Sequence, residues 1–196
     1  MIKIGIVGDI GSGKSYVARQ FKCSVFDADL EVSKIYKKSR ICHKKLKDKL
    51  PNYISSFPTK KKEISRAILD NSKNLKKITK VVHPIVRKKM NSFIKKNKNK
   101  KIVVFDVPLL LENKIYKGDY VIIFVDAKKK EIQKRLKKRL NYNPKILNKL
   151  KKIQLSLEIK KKKSNYLINN NFKESNIKKS VKLLKKKILK NERSSS

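Results

Sequence analysis

Apolar residues along the chain follow two patterns. Five short runs are almost continuously apolar and rich in β-branched residues, which predicts buried strands of a parallel sheet. Between them, apolar residues recur every three or four positions in lysine-rich stretches, which is the spacing of amphipathic helices. This alternation predicts an α/β fold. The predicted strands are Ile2–Val7, Ser24–Phe26, Lys101–Val107, Tyr120–Val125 and Asn165–Asn169.

The helical pattern accounts for most of the remaining chain. Thr59 is predicted to open one helix, and the pair His83-Pro84 falls inside a longer one. Asn143-Pro144 should separate two basic helices. The predicted helices are Tyr16–Phe21, Leu30–Lys37, Lys61–Asp70, Leu75–Lys96, Lys128–Leu140, Lys145–Lys162 and Glu174–Lys190.

The length of 196 residues allows one substantial core, or one domain with inserted subdomains. The sequence has no run of about 18 apolar residues, so no membrane-spanning helix is expected. The first strand begins at Ile2 and leaves no room for a targeting segment, so we expect a cytoplasmic protein. Cys23 and Cys42 lie outside any C-x-x-C pattern, which favours reduced thiols.

The formal net charge is +40, from 55 Lys and Arg against 15 Asp and Glu. A surface this basic would attract nucleic acid or an anionic membrane. However, the positive charge is spread along almost the whole chain, and glycine and proline are scarce, as A/T-rich codons would produce. A solvated basic surface is therefore favoured over a dedicated nucleic-acid site.

Residues 8–15 read GDIGSGKS and match the phosphate-loop pattern G-x-x-x-x-G-K-[ST] between a predicted strand and a predicted helix. Glycines allow backbone N–H groups to turn toward phosphate oxygens, and the helix N-terminus adds partial positive charge. Lys14 should reach the β- and γ-phosphates, and the Ser15 hydroxyl should bind Mg²⁺. This context favours nucleotide binding over a glycine-rich turn without a ligand.

Aspartates follow three predicted strands, at the edge where open α/β sheets bind ligands. Asp27 and Asp29 could accept a proton from an attacking hydroxyl or hold a metal-bound water, although Asp29 also fits a helix cap. Asp106 resembles the second acidic element of phosphate-loop proteins, which holds Mg²⁺. For Asp126 the better interpretation is an N-cap of the next helix.

Two further features are candidates for chemistry. Small phosphate-loop kinases carry a mobile basic lid between the fourth and last strands, and Arg135 and Arg139 lie in that region. Arginine is scarce in this lysine-rich chain, and its planar guanidinium suits phosphate. His83 is a lone helical histidine, which is more often a packed or surface residue than a ligand.

Taken in order, these motifs resemble the dephospho-coenzyme A kinase family, which catalyses the last step of coenzyme A synthesis. The residues that carry the resemblance are Val7–Ser15, Asp27-Ala28-Asp29, His83-Pro84, Val107–Glu112 and Ser164–Asn170, with a looser match at Arg135, Arg139 and Gln154.

The sequence departs from the family pattern at several positions. Asp9 replaces a glycine and adds negative charge near the triphosphate, and the glycine expected after Asn170 is missing. The remaining departures are Val7 and Tyr16 in place of threonines and Ser164-Asn165 in place of Ala-Asp.

The resemblance implies phosphoryl transfer from ATP, with Mg²⁺, to the ribose 3′-hydroxyl of dephospho-coenzyme A. It implies that Asp29 orients or deprotonates that hydroxyl, that Arg139 closes from the lid with Arg135 as a second candidate, and that Ser15 holds Mg²⁺ with Asp106 or Asp29. The implied nucleotide-binding residues are Gly8, Gly11, Ser12, Gly13, Lys14, Ser15, Tyr16 and Asn170. The implied acceptor-side residues are Asp29, His83, Pro108, Leu109 and Glu112.

The fold implied is a three-layer phosphate-loop kinase with five parallel strands in the order 2-3-1-4-5. Its core would comprise 1–37, 101–127 and 164–191, with a helical acceptor-binding insertion at 38–100 and a lid at 128–163. A monomer without a nucleic-acid partner is expected.

Two alternatives stay open: another phosphate-loop small-molecule kinase, such as a nucleoside monophosphate kinase, and a nucleic-acid-binding ATPase. A GTPase is disfavoured because no Asn-Lys-x-Asp signature follows a strand.

Overall fold

The structure is a computed structural model that describes residues 1–112, 120–140 and 142–193. The strands lie where the apolar runs predict them. The strands are β1 (Ile2–Gly8), β2 (Ser24–Asp27), β3 (Ile102–Asp106), β4 (Tyr120–Asp126) and β5 (Tyr166–Asn169). The helices are α1 (Lys14–Gln20), α2 (Ala28–Lys38), α3 (Arg40–Lys49), α4 (Lys61–Asp70), α5 (Ser72–Lys96), α6 (Lys129–Lys137), α7 (Pro144–Lys152), α8 (Leu157–Lys162) and α9 (Glu174–Arg193).

The chain divides into two compact units. Unit 1 comprises Met1–Asp27, Asn97–Tyr142 and Leu155–Ser196, and unit 2 comprises Ala28–Lys96 and Asn143–Gln154. Unit 1 therefore holds the strands together with α1, α6, α8 and α9, and unit 2 holds the remaining helices. The division into core, insertion and lid stays a prediction.

The sheet of unit 1 has five parallel strands in the order β2-β3-β1-β4-β5, which confirms the predicted strand order. The central strand β1 pairs with β3 on one side and β4 on the other. Its isoleucines pack with α1 and α9 in a continuous apolar core. Members of that core include Ile4, Ile6, Val17, Phe21, Val104, Ile123, Ile177 and Val181.

Because the strands are parallel, their carboxyl ends meet at one edge of the sheet. Asp27 is in register with Asp106, and Asp126 is in register with Asn169. Gly8, the last residue of β1, is in register with Val125. The candidate phosphate loop and two of the candidate acidic residues therefore share this edge, where open α/β sheets bind ligands.

A close approach at the middle of β1 requires a glycine. A Cβ atom at Gly5 would lie 2.5 Å from Leu110 Cδ2 and 2.9 Å from Ile122 Cδ1. Leu110 is fully buried, and its N–H donates to Val107 O over 3.1 Å. The missing side chain of Gly5 thus lets the turn after β3 fold back onto the sheet.

Unit 2 is built from amphipathic helices whose buried faces carry the apolar residues of the predicted spacing, including Ile64, Ile68, Ile78 and Val82. In this unit, Lys149 of α7 donates hydrogen bonds from Nζ to Ile68 O at 2.7 Å and Leu69 O at 2.8 Å. These carbonyls belong to the last turn of α4, where helical carbonyls lack intrahelical partners. Lys149 therefore caps α4 from α7.

Three local predictions were wrong. The single helix predicted over 145–162 is two helices, because the Ser156 side chain accepts from Ile159 N and starts α8 anew. The N-cap position of α4 is Lys60 rather than Thr59. The N-cap position of α6 is Lys128, so Asp126 ends β4 and caps nothing there.

Candidate active site

The loop between β1 and α1 has the backbone conformation that its glycines allow. Gly8, Gly11 and Gly13 have φ values of 149°, 89° and 91°, which side-chain-bearing residues rarely adopt. A Cβ atom at Gly8 would lie 2.5 Å from Val125 O and 2.9 Å from Ser12 Oγ. The loop is therefore a tight cradle at the carboxyl end of β1, with no room for side chains at these turns.

Lys14 is the first residue of α1 and lies over this cradle. Its Nζ donates to Asp9 O at 2.7 Å and to Gly8 O at 3.3 Å. No side chain caps α1, whose N-cap is Gly13. An ammonium group and the positive end of a helix therefore lie together at the loop, an arrangement suited to an anion.

Asp9, the departure that adds negative charge, engages its own loop. Its Oδ1 accepts a hydrogen bond of 2.7 Å from Ile10 N, and its carbonyl oxygen accepts from Ser12 N at 3.1 Å. One loop amide is thus directed at a carboxylate. Lys14 Nζ is a further hydrogen-bond donor at this loop.

Two oxygen donors at this edge have the chemistry that Mg²⁺ prefers. Asp106 is buried and ends β3, in register with Ile6 of β1. Ser15 lies one residue after Lys14 and is exposed. A carboxylate and a hydroxyl are hard oxygen ligands, and Mg²⁺ commonly keeps several waters besides one or two protein oxygens. This donor set fits a magnesium ion bound together with phosphates.

Asn170, after β5, is tied to the phosphate loop. Its side-chain Nδ2 donates to Ser12 O at 2.7 Å, and its Oδ1 accepts from Phe172 N at 2.8 Å. Its backbone N–H donates to Asp126 O at 2.7 Å. A Cβ atom at Gly13 would collide with the Asn170 amide, so both residues are needed for this close contact.

The glycine that the family pattern places after Asn170 is not required in this chain. The positive φ of the turn, 61°, occurs at Phe172, two residues after Asn170. The guanidinium carbon of Arg135 lies 4.5 Å from the centroid of the Phe172 ring, within the range of a cation–π contact. Arg135 of α6 is therefore placed beside the turn that holds Asn170.

Helix α6 packs directly on the phosphate loop. A Cβ atom at Gly11 would lie 2.9 Å from Leu136 Cγ and 3.1 Å from Ile132 Cγ2. Arg139 follows the end of α6 and is exposed. Of the two candidate arginines, Arg135 contacts an aromatic ring, and Arg139 has its side chain in solvent.

Two hydroxyl groups in the phosphate loop and the first turn of α1 are buried without a hydrogen-bond partner among the described residues. They are Ser12 Oγ and Tyr16 Oη. Ser12 is completely buried inside the loop, whereas Tyr16 packs against the apolar core with its ring. A buried hydroxyl that lacks a partner costs free energy, which marks both positions as candidates for contact with a bound group.

The turn after β3 holds the other candidates of unit 1. Pro108 and Leu109 are partly buried. Glu112 makes a buried ion pair with Lys160 of α8, with 2.9 Å between Oε1 and Nζ. The same Oε1 accepts from Leu155 N at 3.0 Å. Sequence reasoning placed Glu112 on the acceptor side and missed Lys160.

Asp29 and His83 belong to unit 2. Asp29 lies in the first turn of α2, two residues after the end of β2, and is exposed. His83 is half-buried in α5, where burial first and the charge of Arg87 second lower its pKa. The imidazole is therefore neutral at neutral pH and can offer one donor and one acceptor.

A family model described as dephospho-CoA kinase matches residues 2–176. The chain belongs to this family. Dephospho-CoA kinase membership makes it an ATP-dependent kinase that acts on a small molecule, as the sequence analysis predicts. None of the helices in the described ranges is long and apolar enough to cross a membrane.

A curated relative supports the family, and two solved structures share the fold. The dephospho-CoA kinase of Wolbachia pipientis wMel is 35% identical over 170 residues, which cover 84% of this chain and 87% of the relative. A Thermus thermophilus protein of known structure has a TM-score of 0.73 at 23% identity, over 93% of this chain and 95% of that one. The dephospho-CoA kinase of Campylobacter jejuni has a TM-score of 0.63 at 19% identity, over 97% and 98% of the two chains.

The structurally important residues of this dephospho-CoA kinase differ in how easily they are found from the sequence. The phosphate loop is found by its pattern alone, because its glycines serve a local backbone conformation. Lys160 and Lys149 carry no such signal, since each is one lysine among many on a helix. Phe172 is likewise marked only by its position near Asn170.

Proposed function

We propose that this chain phosphorylates the ribose 3′-hydroxyl of dephospho-coenzyme A with ATP, giving coenzyme A and ADP, with Lys14 and the loop amides holding the β- and γ-phosphates. Family membership supports the reaction. The observation that carries the residue assignment is the glycine cradle with Lys14 Nζ lying over it. Donors fixed in this way suit a transition state whose negative charge spreads over phosphoryl oxygens.

Ser15 and Asp106 are the proposed magnesium ligands. When bound, the ion would act as a Lewis acid that offsets the negative charge developing on the phosphoryl oxygens during transfer. Asp106 is suited to this role because it is buried at the carboxyl end of β3, in register with Ile6 two residues before the loop glycine. Ser15 would add its hydroxyl from the first turn of α1.

Asp29 is the proposed base or orienting group for the acceptor hydroxyl. An exposed carboxylate at the start of α2 is accessible to a substrate and can accept a proton. Arg139, with Arg135 as the second candidate, would stabilise the transferring phosphoryl group from the predicted lid. His83, Pro108, Leu109 and Glu112 are proposed acceptor-side residues. Asn170 and Tyr16 are proposed to line the nucleotide side.

The deciding experiment measures which acceptor is consumed. Purified protein with ATP and Mg²⁺ receives dephospho-coenzyme A, and separate reactions receive nucleoside monophosphates. Phosphorylation of dephospho-coenzyme A alone supports the proposal, whereas consumption of a nucleoside monophosphate instead would contradict it. ATP hydrolysis that DNA or RNA stimulates, with binding that falls steeply with salt, would favour a nucleic-acid-binding ATPase.

A variant tests the assignment of Lys14. Lys14→Ala should lower kcat by about a thousandfold or more and leave the circular dichroism spectrum unchanged, because it removes one charge-stabilising donor. Lys101→Ala is the matched control, since Lys101 is exposed before β3, away from the loop. Near-normal turnover of Lys14→Ala would refute its role. Sedimentation of the same protein would test the expected monomer, and fractionation of the source cells would test the expected cytoplasmic location.

A further inference from the structure

Helix α8 inverts the usual pattern of burial. Lys160 is 1% exposed, and it is the one buried lysine in the described part of the chain. Its neighbours Leu157 and Ile159 are 37% and 43% exposed. Burying an ammonium group while apolar side chains face solvent is costly unless the charge is paired. The position therefore has a requirement other than apolar packing.

The partner of Lys160 is Glu112, whose side chain is only 8% exposed. Glu112 Oε1 lies 2.9 Å from Lys160 Nζ and accepts from Leu155 N over 3.0 Å. One carboxylate oxygen therefore binds both ends of the segment Leu155–Lys160. We call this segment the return arm, because it follows α7 and leads back into unit 1.

The other end of the contact is equally constrained. Glu112 lies six residues after Asp106, in the turn whose Leu110 packs where Gly5 lacks a side chain. At the end of α8, Ser164 Oγ donates a local hydrogen bond to Lys160 O at 2.7 Å. The ion pair thus connects a fixed turn after Asp106 to a helix of the predicted lid.

Stability alone does not account for such a pair. Removing two charges from water is expensive, and apolar residues of similar volume often stabilise a protein as well as a buried ion pair does. A buried, hydrogen-bonded pair does, however, hold its elements in one geometry. The geometry held in this case relates the return arm to the turn that follows the proposed magnesium ligand.

We propose that Lys160 is a positioning residue for phosphoryl transfer, acting through Glu112 to fix the return arm on the turn after Asp106. The inference rests on the proposed function, in which Asp106 binds Mg²⁺ beside the phosphates. It also assigns Glu112 an anchoring role on the acceptor side.

The test uses Lys160→Met with Lys162→Met as its matched control. Both remove one positive charge from α8, but Lys162 is exposed. Lys160→Met should lower kcat with dephospho-coenzyme A about tenfold to a hundredfold, since misplacing groups by about 1 Å has effects of this size. The dissociation constant for ATP should change less than about threefold, because the cradle is intact. Lys162→Met should match the wild type in both.

A double variant separates positioning from stability. Glu112→Leu with Lys160→Met replaces the pair by apolar side chains, so its thermal midpoint should lie closer to that of the wild type than the midpoint of Lys160→Met does. Its kcat should stay low, because Leu155 N has lost its acceptor and Glu112 no longer anchors the return arm. Wild-type kcat in either the double variant or Lys160→Met would overturn the proposal.

Amide exchange keeps this outcome distinct from failure of the proposed function. The Leu155 amide should exchange faster in Lys160→Met than in wild type and Lys162→Met, whichever acceptor the enzyme uses. Equal exchange in all three proteins would overturn the positioning role. A wild type that ignores dephospho-coenzyme A would overturn the proposed function instead, and the kcat comparison would then use the acceptor consumed.

Discussion

The side-chain amide of Asn170 donates a hydrogen bond of 2.7 Å to the backbone carbonyl oxygen of Ser12, which lies 158 positions earlier in the chain. This bond joins the turn after β5 to the phosphate loop. Because the Ser12 carbonyl is buried in that contact, the geometry of the cradle depends on a residue near the other end of the sequence.

Replacing Asn170 should therefore weaken nucleotide binding. Asn170→Ala removes the donor to Ser12 and the acceptor for Phe172 N. We expect the dissociation constant for ATP to rise about tenfold, because one lost hydrogen bond of this kind is worth about 1–2 kcal/mol. Isothermal titration measures this directly. Asn170→Asp keeps an acceptor but lacks the amide donor, so it should be impaired as well.

Asn169→Ala is the control for that variant, since Asn169 is the exposed last residue of β5. It should bind ATP as the wild type does. An Asn170→Ala protein with unchanged affinity would show that the cradle keeps its form without the bond.

The contact of Gly5 with Leu110 predicts a coupled pair of mutations. Gly5→Ala should destabilise the protein by about 1–3 kcal/mol, because its Cβ would lie 2.5 Å from Leu110 Cδ2 in a packed core. Leu110→Ala alone should cost about 2–5 kcal/mol through the cavity it leaves. The double variant should lose clearly less than the sum, since each change relieves the other. Urea denaturation of all four proteins provides the free energies of unfolding.

Strict additivity of the two changes would contradict this packing account. Val103→Ala is a suitable reference, since Val103 is also a buried sheet residue. Combined with Gly5→Ala, it should show little coupling.

Glu63 predicts a specific loss of stability in acid. Burial alone would raise the pKa of Glu63, but hydrogen bonds donated by Ser55, Lys60 and Ser56 outweigh that effect and lower it to about 2. The unfolded chain has the ordinary pKa of 4.5, so it binds the proton more readily. The stability that Glu63 contributes is therefore complete above about pH 5 and declines as the pH falls toward 2.

Glu63→Gln should accordingly melt at a lower temperature than the wild type at about pH 7, and the difference should shrink at about pH 3. Thermal unfolding followed by circular dichroism measures both. Glu131→Gln, at an exposed position of α6, controls for the loss of one negative charge. A gap between wild type and Glu63→Gln that stays constant with pH would be inconsistent with the hydrogen-bonded carboxylate.

The sequence predicts features whose causes are local. Each strand appears in the sequence as an apolar run. The phosphate loop is recognisable because its glycines are needed for positive φ values within one stretch of eight residues. The break between α7 and α8 is hidden, since Leu150, Ile153 and Leu157 continue the helical spacing through it. The structure shows the break in that α7 ends at Lys152 and the Ser156 side chain accepts from Ile159 N at the start of α8.

Features with tertiary causes escape prediction. Lys160 is buried in an ion pair with Glu112, which lies 48 positions earlier in the chain. No residue near Lys160 in the sequence indicates this pairing. The residue at which the turn after β5 takes a positive φ also depends on contacts. Asn170 binds Phe172 N and Ser12 O at once, which places the strained residue at Phe172 rather than directly after Asn170.

The hydrogen bonds that Lys149 donates to the end of α4 determine which fragment of the chain could contain a complete unit 2. Unit 2 is assembled from two separate stretches of chain, and a fragment ending at Lys96 would omit the second one. The carbonyls of Ile68 and Leu69 would then lose their common donor. A free-standing version of this unit must therefore carry residues 143–154 as well, spliced on through a new linker.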